Sequence, residues 1–272
     1  FVLFFHSQVT VVVRAGLTSL VRPEYIFETQ QWWDHPSYNV NDPLRVQPND
    51  ISILKLSYPV TYSLNLQPIR IQSRGDAFRN YDTEVLIASG FGRTWTMGPT
   101  VEDLQWVYLR GVSNLYCGQL FGTALINSNA ICAGFYNVTS QSTCQGDSGG
   151  PLVHVDSEGV PTLVGIASFV AGDPFGCHSG IPAGFCRPGP FQNWLEEVTG
   201  IDFENFDEEG SPTTTTTKPE PEDSDEDSSS SSEELDPEVE ELLKKLIVKV
   251  KVKVKVNDKV KKKIKVKCED HI

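Results

Sequence analysis

Apolar residues fall along this chain in short runs, many of them β-branched, broken by clusters of Gly, Pro, Asn and Asp. Residues 9–13, 51–56, 85–88, 107–109, 152–155 and 163–170 are such runs. Runs of this length between turn residues predict strands, and a series of them predicts an all-β barrel or sandwich. One stretch has another period. Trp194, Leu195 and Val198 recur at helical spacing within residues 191–198, and Gly200 follows where a helix would stop. The pattern predicts a single helix closing an all-β domain.

Beyond Gly200 the pattern dissolves. Residues 201–241 are rich in Ser, Thr, Pro, Asp and Glu, cannot bury apolar surface, and are expected to form a disordered linker. Its threonines and prolines fit an O-glycosylated stalk or an unmodified solvated linker. Residues 242–272 form a Lys/Val-rich tail. Residues 246–256 alternate apolar with Lys, Asn257-Asp258 reads as a turn, and residues 259–267 resume the lysines. That pattern fits an amphipathic β-hairpin, which alone is marginal in water. Pairing with the acidic stretch, lying on an anionic surface and an error in the gene model all stay open.

Composition narrows the function. The 272 residues carry a net charge of -13, unevenly spread, with an acidic block after residue 201 followed by a lysine-rich end, which argues against nucleic acid as a partner of the whole molecule. No run approaches about twenty uninterrupted apolar residues, so no membrane span is expected. The opening FVLFF lacks a basic flank and a cleavage pattern, so it reads as a buried strand of a domain whose front is missing, not as a signal peptide. Six cysteines (Cys117, Cys132, Cys144, Cys177, Cys186 and Cys268) form no CxxC pair, and no HExxH occurs, so no metal site is expected. Their scatter favours disulfides and an oxidising compartment. The sequon at Asn137-Val138-Thr139 agrees with secretion.

The chemistry concentrates in Cys144-Gln145-Gly146-Asp147-Ser148-Gly149-Gly150-Pro151-Leu152. A weak nucleophile such as Ser needs a tight turn that exposes its hydroxyl beside free backbone N–H groups. Glycines on both sides of Ser148 permit that turn.

This segment resembles the nucleophile segment of the chymotrypsin-like serine peptidases, and the resemblance covers roughly the first two hundred residues. It includes Asn49-Asp50-Ile51-Ser52-Ile53-Leu54-Lys55-Leu56, Gln67-Pro68-Ile69, Ser89-Gly90-Phe91-Gly92, Ile131-Cys132-Ala133-Gly134 and Gly165-Ile166-Ala167-Ser168-Phe169, ending at the helix of Trp194. It implies a double six-stranded β-barrel with a C-terminal helix, the first barrel incomplete, spanning residues 1–200. It implies a secreted endopeptidase without metal or organic cofactor, acting on protein or peptide substrates and open to proteinaceous inhibitors. A monomer is assumed, and the signal peptide would lie in the missing front.

Residue by residue, the resemblance makes Ser148 the nucleophile, the N–H groups of Gly146 and Ser148 the oxyanion hole, and Asp50 the residue that orients the general base. Family order is His, Asp, Ser, so only His6 and His35 qualify as that base. His35, in His-Pro-Ser-Tyr-Asn, resembles a non-catalytic strand segment. His6 stands near the usual separation from Asp50, but in Phe-Phe-His-Ser where the family has Ala-Ala-His-Cys. Asp147 would pair with an Ile-Val-Gly-Gly-like amino terminus freed on maturation, a motif this sequence lacks. Ser142 would floor the substrate pocket, with Ser168, Val170 and Ala183 on its walls. A floor without a carboxylate disfavours Lys or Arg, so cleavage after uncharged side chains is expected. Disulfides would join Cys117 to Cys132 and Cys144 to Cys177, leaving Cys186 and Cys268 paired or free. The alternative is an inactive homologue acting as a binding module.

Overall fold

The computed structural model describes residues 10–43, 45–204 and 251–255. The chain builds a small first β lobe and then a closed barrel. In the first lobe β1 (Thr10–Ala15) pairs antiparallel with β2 (Tyr25–Thr29), and β3 (Trp32–Asp34) with β4 (Ser52–Leu54). Val11, Val13 and Phe27 are fully buried there, and Ala15 and Leu66 complete the cluster. Strand alternation produces this face: Val11, Val13 and Ala15 lie two apart.

The second lobe uses β5 (Arg70–Ile71), β6 (Val85–Gly90), β7 (Gln105–Val112), β8 (Ala130–Phe135), β9 (Pro151–Val155), β10 (Pro161–Phe169) and β11 (Ala183–Cys186). Their order is β11-β8-β7-β6-β9-β10-β5, and β10 also pairs with β11. Six strands therefore close on themselves, which removes the free edges of that sheet. Leu86, Leu109, Leu152 and Val164 fill the barrel at 0 % exposure. The architecture is the double-barrel one expected, with the first lobe short of a closed barrel.

Two helices occur among the described residues, not one. α1 (Asn114–Phe121) escaped the periodicity because an eight-residue helix offers too few repeats. Ser113 caps it through Oγ, which accepts the Tyr116 N–H at 3.3 Å, and the Cys117–Cys132 disulfide pins it to β8. α2 (Gln192–Thr199) is the anticipated closing helix, entered through a 3-10 turn at Gly189–Phe191 and stopped by Gly200 at φ 72°.

α2 is anchored twice. Inside, the fully buried Gln72 accepts the Gly189 N–H on its side chain at 3.2 Å, while its backbone carbonyl accepts from Gln192 Nε2 at 2.6 Å. Outside, the Arg74 guanidinium donates to Asn193, Glu196 and Glu204.

The tail departs from a self-paired hairpin in its described part. β12 (Lys251–Lys255) adds to the free side of β1, antiparallel, with Val252 opposite Val13 and Val254 opposite Val11. An unpaired strand edge is a ready template for another strand, and the alternating tail supplies one. The rest of the tail, the acidic linker from residue 205 on, and Cys268 lie outside the described residues.

Candidate active site

The segment 144–150 folds as two successive tight turns. The Asp147 N–H donates to the Cys144 carbonyl at 3.0 Å and the Gly150 N–H to the Asp147 carbonyl at 2.8 Å. Gly146 and Gly149 take φ of 99° and 79°, the left-handed region that side chains with a Cβ rarely adopt. Ser148 stands half-exposed between them. Among the described residues no hydrogen bond engages the N–H of Gly146 or of Ser148. The Cys144–Cys177 disulfide ties the loop to the segment after β10.

Asp147 is held by the stretch Ser89-Gly90-Phe91-Gly92. Its carboxylate accepts the Gly92 N–H at 2.9 Å and the Cys144 N–H at 2.8 Å. Both glycines are needed for this approach: a Cβ on Gly90 would lie 1.4 Å from Asp147 Oδ1, and one on Gly92 2.6 Å from Asp147 Cγ.

The nucleophile loop and Asp50 meet through β10. The Gly149 N–H donates to the Ala167 carbonyl at 2.8 Å, and the Ala167 N–H to the Gly150 carbonyl at 2.8 Å. The next residue, Ser168, donates its Oγ proton to Asp50 Oδ2 at 2.6 Å. One short piece of strand thus holds Ser148's loop on one side and the Asp50 carboxylate on the other. Burial raises the Asp50 carboxyl above the usual carboxylate range, and the Ser168 hydrogen bond works against that rise. Asp34 is raised too, first by burial and then by the Asp50 charge.

Of the five histidines, three are described, and each is engaged away from Asp50. His35 packs its ring edge-on against Phe191 at 4.8 Å and Trp194 at 5.0 Å, which joins the first lobe to α2. That burial lowers its pKa. His154 lies in β9 beside Tyr81, with Glu84 3.4 Å away. His178 sits against Cys177, its Nδ1 3.3 Å from Sγ. His6 and His271 lie outside the described residues.

The residues read as a substrate pocket separate into two groups. Ala183 is buried in the barrel core, and Val170 packs against that cluster. Phe169 lies over Gly184, where a Cβ would come within 2.1 Å of its ring. Ser142 instead lines a cleft of about 180 Å³ with Ser89, Gly90, Gln141, Thr143, Asp147 and His178. The one grouping of metal-type side chains among the described residues is Cys144, Cys177 and His178, and its two sulfurs are consumed by the disulfide. Both anticipated disulfides are present, and Cys186 is unpaired and buried. Asn137 is exposed. No helix among the described residues is long and apolar enough to cross a membrane.

Sequence reasoning missed Asn129, which sits in no motif with chemistry of its own. Asn129 matters only through its side-chain hydrogen bond to Asn49, eighty positions away, at 3.0 Å.

The trypsin family pattern matches residues 5–195. A collagenase of Hypoderma lineatum is 33 % identical over 198 residues, covering 73 % of this chain and 70 % of its own length. Serine protease 1 of Drosophila melanogaster is 34 % identical over 155 residues, 57 % of this chain and 54 % of its own. Trypsin 5G1 of Aedes aegypti is 30 % identical over 197 residues, 72 % of this chain and 68 % of its own. The solved structure of HL collagenase superposes with a TM-score of 0.58 at 27 % identity, covering 71 % of this chain and 83 % of that one. With one family matching residues 5–195 and a relative 33 % identical across 73 % of this chain, the chain belongs to the trypsin family of serine peptidases.

Proposed function

We propose that this chain is a secreted serine endopeptidase that cleaves protein or peptide substrates through an acyl-enzyme on Ser148, after uncharged side chains. The observation that carries the reading is the link from the Ser148 turn through Ala167 and Ser168 to Asp50. Ser148 Oγ attacks the scissile carbonyl and its proton passes to the general base, assigned to His6. The N–H groups of Gly146 and Ser148 receive the developing oxyanion. The base returns the proton to the leaving amine, and water then hydrolyses the ester by the same route. Asp50 orients the base and stabilises its protonated form. The chemistry requires neither metal nor organic cofactor.

Specificity is assigned to Ser142 and Ser168, with Val170 and Ala183 acting only through the core packing behind them, and none of the four offers a carboxylate to a Lys or Arg substrate. Asp147 is assigned to the ion pair with a processed amino terminus. Residues 1–200 are the peptidase domain, 201–241 a linker and 242–272 a tail. Two disulfides favour an extracellular compartment, and the exposed Asn137 is accessible to glycosylation. A second reading, a binding module without turnover, rests on the engagement of His35, His154 and His178 away from Asp50.

The test is covalent labelling of the native protein with a fluorophosphonate probe, with Ser148→Ala as control. Labelling confined to Ser148 supports the peptidase. No labelling of a folded, disulfide-bonded sample supports the binding module.

A further inference from the structure

The turn that presents Asp50 is unusually tight. The Ile51 N–H donates to the Asn49 carbonyl at 2.9 Å, closing a three-residue turn with Asp50 at its centre. Asn49 takes φ of 61°, a left-handed conformation that Asn tolerates better than most residues but that still needs support. The space behind the turn does not supply that support. A cavity of about 20 Å³, room for about one water, is lined there by Asn49, Asp50, Asn129, Ser168 and Cys186.

What holds the turn is Asn129, whose Nδ2 donates to Asn49 Oδ1 at 3.0 Å. Asn129 is itself fixed at both backbone ends. Its N–H donates to Asn127 Oδ1 at 2.9 Å, and its carbonyl accepts the Arg187 N–H at 2.8 Å. Arg187, 6 % exposed, is in turn spread over the carbonyls of Ala130 and Arg79. The support therefore comes from the closed barrel, the lobe that also carries Ser148 and Ser168.

We infer that Asn129 is a positioning residue: through Asn49 it fixes the turn that aims Asp50, as Ser168 fixes the carboxylate. Asp50 belongs to the first lobe and Ser148 to the second. These two hydrogen bonds cross between them and set the distance at which Asp50 works on the base. Asn129 is neutral and bonds to Asn49, not to the Asp50 carboxylate. Its loss therefore displaces Asp50 without altering substrate contacts.

The inference rests on the peptidase reading, and the experiment separates the two. In the full chain, Asn129→Ala removes the donor. Asn49→Gly removes the acceptor while keeping the left-handed backbone accessible. Labelling of Ser148 by fluorophosphonate and hydrolysis of an apolar peptide anilide are measured for each and for the double variant. The expected result is a fall of about tenfold in kcat for each single variant with KM unchanged, and the same tenfold for the double, since both remove one bond. The acid limb of the rate profile moves to lower pH, because a displaced Asp50 stabilises the protonated base less. Losses that multiply to about a hundredfold in the double, a change confined to KM, or an unchanged kcat in Asn129→Ala would overturn the inference. If Asn129→Ala melts below the assay temperature, Asn129→Ser, too short to reach Asn49, takes its place. A parent chain that fails to label refutes the peptidase reading before any variant is compared.

Discussion

Replacing Gly90 by Ala tests how Asp147 is held. The added methyl would lie 1.4 Å from Asp147 Oδ1 and 2.4 Å from Cγ, so the carboxylate must leave its place. Leaving breaks the hydrogen bonds from Gly92 and Cys144, at 2.9 and 2.8 Å. A hydrogen bond to a charged group contributes roughly 1.5–3 kcal/mol, so the pair is worth about 3–6 kcal/mol. Asp147 is only half-buried and regains some solvation when expelled, and Ala gains about 0.5–1 kcal/mol over Gly in backbone entropy. The expected net loss is about 3 kcal/mol. Urea unfolding at neutral pH measures it from the shift in midpoint at constant slope. Gly172→Ala, where the added methyl meets nothing within 4 Å, is the control and should stay within about 0.5 kcal/mol of the parent. A Gly90→Ala variant that unfolds within about 1 kcal/mol of that control would refute the account of Asp147 as locked between two amides.

Further outcomes follow from other features. The Asp50 carboxyl is raised by burial, so the folded state binds its proton more tightly than the unfolded chain, and stability is lost as pH rises from the ordinary value of 3.8 through the folded one. Asp50→Asn should therefore be more stable than the parent at pH 7 and match it in acid; denaturation midpoints over pH that run parallel would contradict this. Replacing Cys117 and Cys132 together by Ala opens a 15-residue loop and should cost about 3 kcal/mol, seen as a lower melting temperature. The Cys186 thiol, pushed up to about 12 by burial, should resist thiol reagents at pH 8 until the protein unfolds. Reaction of the native protein at the unfolded rate would show that it is exposed.

Much of the second lobe could be read from the chain because its strands obey one rule. Residues 85–88, 152–155 and 163–170 alternate or run apolar between turn residues, and β6, β9 and β10 lie there. β11, read as Ala-Gly-Phe-Cys, gives no such signal, since its burial comes from barrel closure by β10 and β8 and not from its own period. α1 depends on a cap and a disulfide, both decided by tertiary contact. Ser148 and Asp50 could be proposed from sequence because the chemistry proposed for them demands particular neighbours in sequence. The Asn129 contact to Asn49 joins residues that neither motif nor period connects. The partner of Asp50 among the histidines was undecided in sequence; His35 is occupied by Phe191 and Trp194.

The double anchoring of α2 has a consequence for how the molecule meets a changing medium. The Arg74 cluster is an arrangement of exposed charges, and salt weakens it within a Debye length of about 8 Å at physiological ionic strength. The amides of Gln72 and Gln192 carry no charge and are sealed from water, so neither salt nor pH reaches them. Raising ionic strength should loosen the outer latch and leave the inner one shut. The aromatic seat of His35 on Phe191 and Trp194, and with it the strand pair leading to Asp50, stays docked as ionic strength changes, while acid, which charges an imidazole whose pKa burial has lowered, works against that seat.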